Sequence, residues 1–151
     1  MDLMVVLNGL EKLESTLADV YGHFGNILAS DKPISQLFRQ LSEDEASHRQ
    51  IIRYQQRLVR LNPKTFADIE VETELLQGII DRASDFLQSN EITAESALKF
   101  AIDVEYEAAE YHLKAALSQK NPALANLLRA LGKADEEHLG LLRKYVAKGK
   151  G

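Results

Sequence analysis

The sequence has no cysteine. Within these residues that excludes disulfides, cysteine-ligated zinc, iron–sulfur clusters and a thiol nucleophile. It also fits a reducing compartment, so a cytoplasmic location is expected. Helix breakers are scarce as well, with three prolines and eight glycines in 151 residues, so the chain can hold long helices between few stops. Long apolar runs are missing. No segment approaches the ~18 continuous apolar residues that a membrane span needs. The start MDLMVVLNGLEKLE carries an acid where a secretory signal would be basic, and Asn8 breaks its apolar run. A soluble protein without a membrane partner is the expectation. Positive charge is short too: the net charge is −5, whereas a phosphate backbone needs a basic surface. Nucleic acid is therefore not an expected partner, and the basic tail RKYVAKGKG reads as a frayed helix end.

What is present is ordinary for a folded protein, with 45% apolar and 27% charged residues. The length suits one domain, 1–151, with a substantial core. Apolar residues recur at three and four positions and predict four long helices. The first spans about Leu3 to Leu28, through Leu10, Leu13, Leu17, Val20, Tyr21 and Phe24. The second opens at Asp31–Lys32–Pro33 and ends by Asn62–Pro63, with the stripe Ile34, Leu37, Phe38, Leu41, Ile51, Ile52 and Leu58. A third opens at Thr93, a good N-cap, and runs to about Ser118 through Leu98, Ala101, Ile102, Ala108 and Ala115. A fourth opens at Asn121–Pro122 and runs to about Ala147 through Leu124, Leu128, Leu131, Leu142 and Tyr145. Between the second and third, Asn62 to Ile92 reads as a long crossover carrying a shorter amphipathic helix, VETELLQGIIDRASDFL. Short turns make each neighbouring pair of long helices an antiparallel hairpin, so the expected class is all-α, a four-helix bundle of two hairpins joined by that crossover.

Each stripe is interrupted by ionisable residues near the middle of its helix. Glu14 interrupts the first, Glu45 and His48 the second, Glu105 and His112 the third, Asp135 and His138 the fourth. The two halves also repeat. LFRQLSEDEASHRQII (37–52) aligns without gaps on LLRALGKADEEHLGLL (127–142), pairing Glu45 with Asp135 and His48 with His138. A parallel alignment of the preceding helices pairs Glu14 with Glu105 and Tyr21 with His112. Packed about a pseudo-twofold axis, such hairpins bring four carboxylates and two imidazoles to one centre. Four buried carboxylates without compensation would each cost several kcal/mol or take up protons. Two divalent cations such as Fe²⁺ cancel that charge. The pattern thus predicts a dinuclear metal site held by Glu14, Glu45, His48, Glu105, Asp135 and His138.

The phrases LEKLESTLADVY, LFRQLSEDEASH, AIDVEYEAAEYH and LLRALGKADEEH resemble the ferritin-like diiron carboxylate proteins, and most of all the erythrin domain of the rubrerythrin group. The resemblance implies a ferritin-like bundle, two iron ions with manganese as the other candidate metal, and oxidoreductase chemistry on hydrogen peroxide or O₂. It also implies a separate electron donor such as a rubredoxin, since no rubredoxin domain accompanies these residues; a homodimer is expected. Two departures stand out. Asp135 replaces the usual Glu and reaches one methylene less. Ala108 stands one turn after Glu105, where rubrerythrins commonly carry a further Glu.

Other polar residues receive lesser roles. Tyr21 and His112 lie two turns, about 10 Å, along their helices from Glu14 and Glu105, and read as core or supporting residues. His23 is expected at the surface. Glu107, Glu110, Glu136 and Glu137 read as a solvated acidic face, and so does Glu11, which also lies close enough in angle to Glu14 to serve as a spare ligand. Two rivals to the peroxide or O₂ reductase remain open: a ferroxidase that stores or detoxifies iron, and a helical scaffold whose metal site is structural or vestigial.

Overall fold

The computed structural model describes residues 3–61 and 74–149. Five helices follow in order: α1 (Leu3–Ile27), α2 (Lys32–Leu61), α3 (Glu74–Leu87), α4 (Ala94–Ser118) and α5 (Pro122–Gly149). Among the described residues there is no strand, as the periodicity requires. No helix among them is long and apolar enough to cross a membrane. The expected end of the second helix at Asn62–Pro63 and the first residues of the VETELL segment lie outside the described residues. The basic tail is helical as far as Gly149, two residues beyond the expected end.

The helices form two compact units, residues 1–92 and 93–151. In the first unit α1 and α2 make an antiparallel hairpin. The Asp31 carboxylate accepts from the Ile34 amide at 3.3 Å, so Asp31 caps α2 from outside rather than sitting in its first turn. Two serines of α2 tie the pair together: Ser35 Oγ donates to the Gly25 carbonyl and Ser42 Oγ to the Ala18 carbonyl, each at 2.7 Å. The helices come close here. A Cβ on Gly25 would lie 3.3 Å from the Ser35 carbonyl oxygen and 3.0 Å from Arg39 Cγ.

The short helix α3 lies along α1. Phe24 meets Phe38 of α2 edge-on at 5.2 Å and Phe86 of α3 at 5.5 Å, so one ring joins three helices. His23, expected at the surface, is half-buried instead, and its Nε2 donates to the Ser89 carbonyl at 3.1 Å, just beyond α3. The α1 stripe is buried as predicted, from Leu10 through Phe24. On α2 the expected core residue Ile51 is 48% exposed, while Ile52, Gln56 and Val59 are buried. At 100° per residue Ile51 lies off the line that runs from Glu45 through Ile52, so it turns to solvent.

In the second unit α4 and α5 form the other hairpin. Thr93 and Ser96 make a reciprocal capping box at the start of α4, with Ser96 N donating to Thr93 Oγ1 at 3.0 Å. Asn121 caps α5 by accepting from the amides of Ala123 and Leu124 at 3.0 and 3.2 Å, and Pro122 takes the first helical position. The crossing of this hairpin depends on Gly132. A Cβ there would stand 2.7 Å from Leu113 Cγ and 3.3 Å from His112 Cβ. The repeat pairs Leu113 with Gly22 and Gly132 with Ser42, so the hairpins share this crossing but place the bulk on opposite helices. Gly132→Ala should therefore destabilise by about 1–3 kcal/mol through overpacking. Gly140→Ala has nothing within 4 Å of the new Cβ and should stabilise α5 by up to ~1 kcal/mol through helix propensity. Opposite shifts in urea midpoint, with unchanged slope, are the expected outcome.

Candidate metal centre

Glu14 sits between Leu10 and Leu17 on the buried stripe of α1, and Glu45 and His48 sit between Leu41 and Ile52 on that of α2. Glu14 and Glu45 are essentially inaccessible to solvent, and His48 retains 13% exposure of its side chain. The antiparallel register brings the three together. His48 Nδ1 lies 3.5 Å from Glu14 Oε2 and 3.3 Å from Glu45 Oε2, and one ligand atom from each residue falls within 4.8 Å of the others. Two donors that each sit about 2.1 Å from one ion, at angles of 90–110°, stand roughly 3.0–3.4 Å apart. The spacings from His48 to the two carboxylates, 3.3 and 3.5 Å, are close to those of neighbouring ligands on a common ion. The donors are hard oxygens and imidazole nitrogen, which suit iron or manganese. On both counts the residues fit a divalent metal.

The second unit repeats half of this arrangement. His138 Nδ1 lies 3.3 Å from Glu105 Oε1, with both residues buried, so the α4 carboxylate meets the α5 imidazole much as Glu14 meets His48. Asp135 departs from the pattern. Its Oδ2 lies 2.5 Å from His112 Nδ1, with both side chains buried. Among the described residues Asp135 belongs to no converging group of three potential ligands.

Distance along α4 alone does not show the His112–Asp135 contact, which crosses to α5. In an antiparallel hairpin where Glu105 faces His138, His112, seven places on, stands level with Leu131 and Gly132, one turn from Asp135 and within reach of it. That geometry could have been read from the register. Tyr21, the counterpart of His112, is fully buried against Phe24 and Phe38. Ala108, one turn after Glu105, is also fully buried and presents only a methyl group there.

Glu11 is committed elsewhere. Its Oε1 accepts from Arg53 Nε at 3.0 Å and its Oε2 from Gln56 Nε2 at 2.8 Å, and Gln56 also donates to Asn8. Both oxygens point across to α2, which removes it as a spare ligand. The Gln56 and Arg53 hydrogen bonds, aided by the charges of Arg53 and Arg49, outweigh burial and hold its carboxyl below the usual range. A depressed carboxylate stabilises the fold above the unfolded value of ~4.3 and loses that contribution as pH falls through the folded value. Glu11→Gln should thus cost on the order of 1 kcal/mol at pH 7 and progressively less as pH falls below ~4.3. Urea melts at pH 7 and below ~4.3 measure the difference. Glu110, Glu136 and Glu137 are exposed, as expected of an acidic face.

A buried carboxylate–imidazole centre repeated on two helical hairpins defines the ferritin-like metal proteins. The Rubrerythrin family model matches residues 12–146, and the chain belongs to that family, so the all-α, ferritin-like fold class follows with it. No curated protein and no solved structure matches the chain significantly.

Proposed function

We propose that this chain is a non-haem diiron oxidoreductase that reduces hydrogen peroxide or O₂ with electrons from a separate donor. The convergence of Glu14, Glu45 and His48 on one point, in a chain of the Rubrerythrin family, carries the reading. The metal-holding residues in this proposal are Glu14, Glu45 and His48 of the first hairpin and Glu105, Asp135 and His138 of the second. When bound, two Fe²⁺ ions supply one electron each to the substrate oxygen–oxygen bond.

The chain's own residues do the rest. The four carboxylates offset the metal charge inside the protein. The fully buried Leu10, Leu17, Leu41 and Ile52 keep bulk water from Glu14 and Glu45. Ala108 offers no side-chain oxygen, so no exchange of carboxylate ligands during turnover can use it. Reduction of one peroxide, H₂O₂ + 2e⁻ + 2H⁺ → 2H₂O, consumes two electrons. A chain segment without cysteine holds no iron–sulfur relay to provide them, which is why an external donor of the rubredoxin type belongs to the proposal.

Stopped-flow mixing of the di-ferrous protein with each oxidant tests the reading. Oxidation by peroxide should be faster than oxidation by O₂, and steady turnover should need an added donor. Equal or faster reaction with O₂, with iron passing into a mineral core, would instead make the protein a ferroxidase.

A further inference from the structure

The two hairpins carry the same pattern but use it differently. In the first, Glu45 and His48 face each other and Glu14, and the three form a converging group. In the second, His138 faces Glu105 at 3.3 Å, as His48 faces Glu14 at 3.5 Å, yet the carboxylate three residues before His138 is held by His112. Two sequence differences produce this. Asp135 is one methylene shorter than its counterpart Glu45, and His112 replaces Tyr21 at the facing level of the hairpin. An imidazole hydrogen-bonds a carboxylate strongly in a dry site. The short Asp135 side chain therefore reaches across the hairpin to His112.

We propose that the two metal positions are unequal, and that His112 makes them so. The Glu14–Glu45–His48 position takes its ion first and tightly. The Glu105–Asp135–His138 position fills second, because placing Asp135 on an ion gives up or weakens its bond to His112. His112 is a positioning residue that sets the order of loading. This inference rests on the diiron reading above and adds a hierarchy to it. A buried hydrogen bond to a charged group corresponds to a factor of about 10 to 100 in dissociation constant, which sets the expected gap.

The test is an anaerobic calorimetric titration of the metal-free full chain with Fe²⁺. The wild type should bind in two steps whose dissociation constants differ at least ~10-fold. Glu14→Gln, which changes a carboxylate of the first position alone, should remove the tight step. His112→Phe, which fills the space but cannot hold the carboxylate, should leave the tight step in place and strengthen the weak one about 10-fold. Asp135→Glu, which restores the reach of Glu45, should narrow the gap in the same direction, and it serves if His112→Phe does not fold by circular dichroism. Two equal steps in the wild type would overturn the inference and leave the diiron reading intact. A weaker second step in His112→Phe, or a gap unchanged or widened in Asp135→Glu, would also overturn it, since His112 would then be supporting a ligand rather than withholding one. Absence of any Fe²⁺ binding would sink the diiron reading itself.

Discussion

Chelating the iron from the loaded protein should lower its melting temperature by roughly 10–20 °C. The metal-free interior must keep Glu14, Glu45, Glu105 and Asp135 buried, and buried carboxylates repel one another or take up protons. Two bound cations remove that repulsion and bind the assembled site far better than the unfolded chain. At free metal ~100-fold above the dissociation constant, each position adds roughly 2.7 kcal/mol. In a chain of this size each kcal/mol moves the midpoint by about 2–4 °C. The second position, being weaker, reaches its share only at higher free metal. Thermal melts followed by circular dichroism, with Fe²⁺ under anaerobic conditions and with chelator, give the difference. Coincident midpoints at neutral pH would count against a buried metal centre.

The second large effect concerns Glu45 and His48. Changing both to Gln should slow oxidation of the iron-loaded protein by peroxide at least ~100-fold, since even supporting residues around a metal are worth 10–100-fold. Helix content should be unchanged, because neither side chain caps a helix and Gln is a good helix former. The stability should invert. With metal, the variant should melt well below the wild type. Without metal, it should equal or exceed it, since one buried carboxylate has become neutral. Melting both proteins in both states gives four midpoints. Variant midpoints that shift with iron as much as the wild type's would show that these residues do not hold the metal.

The elements were legible because their signals are local. Thr93 and Asn121 announce helix starts by capping chemistry, and both cap where expected. The α1 stripe could be read directly, since every third or fourth residue is apolar and Glu14 is the conspicuous exception. The adjacent Ile51 and Ile52 look equally apolar in sequence, while only Ile52 lies on the face shared with Glu45. The site was legible in outline through the repeat: the carboxylate-x-x-His spacing places both groups on one helix face whatever the neighbours do. What could not be read that way was pairing across helices. Glu11 finds Arg53 and Gln56, and Asp135 finds His112, through the register of each hairpin. Crossings packed at Gly25 and Gly132 set that register, not any local motif.

The central claim is that this fold carries a two-metal centre, and anaerobic equilibrium dialysis of the metal-free protein against excess Fe²⁺, followed by elemental analysis, tests it most directly. Saturation at two iron ions per chain, reduced in the Glu45/His48 double variant, is the predicted result. Saturation at one ion or none, in a protein whose helix content is intact, would contradict it.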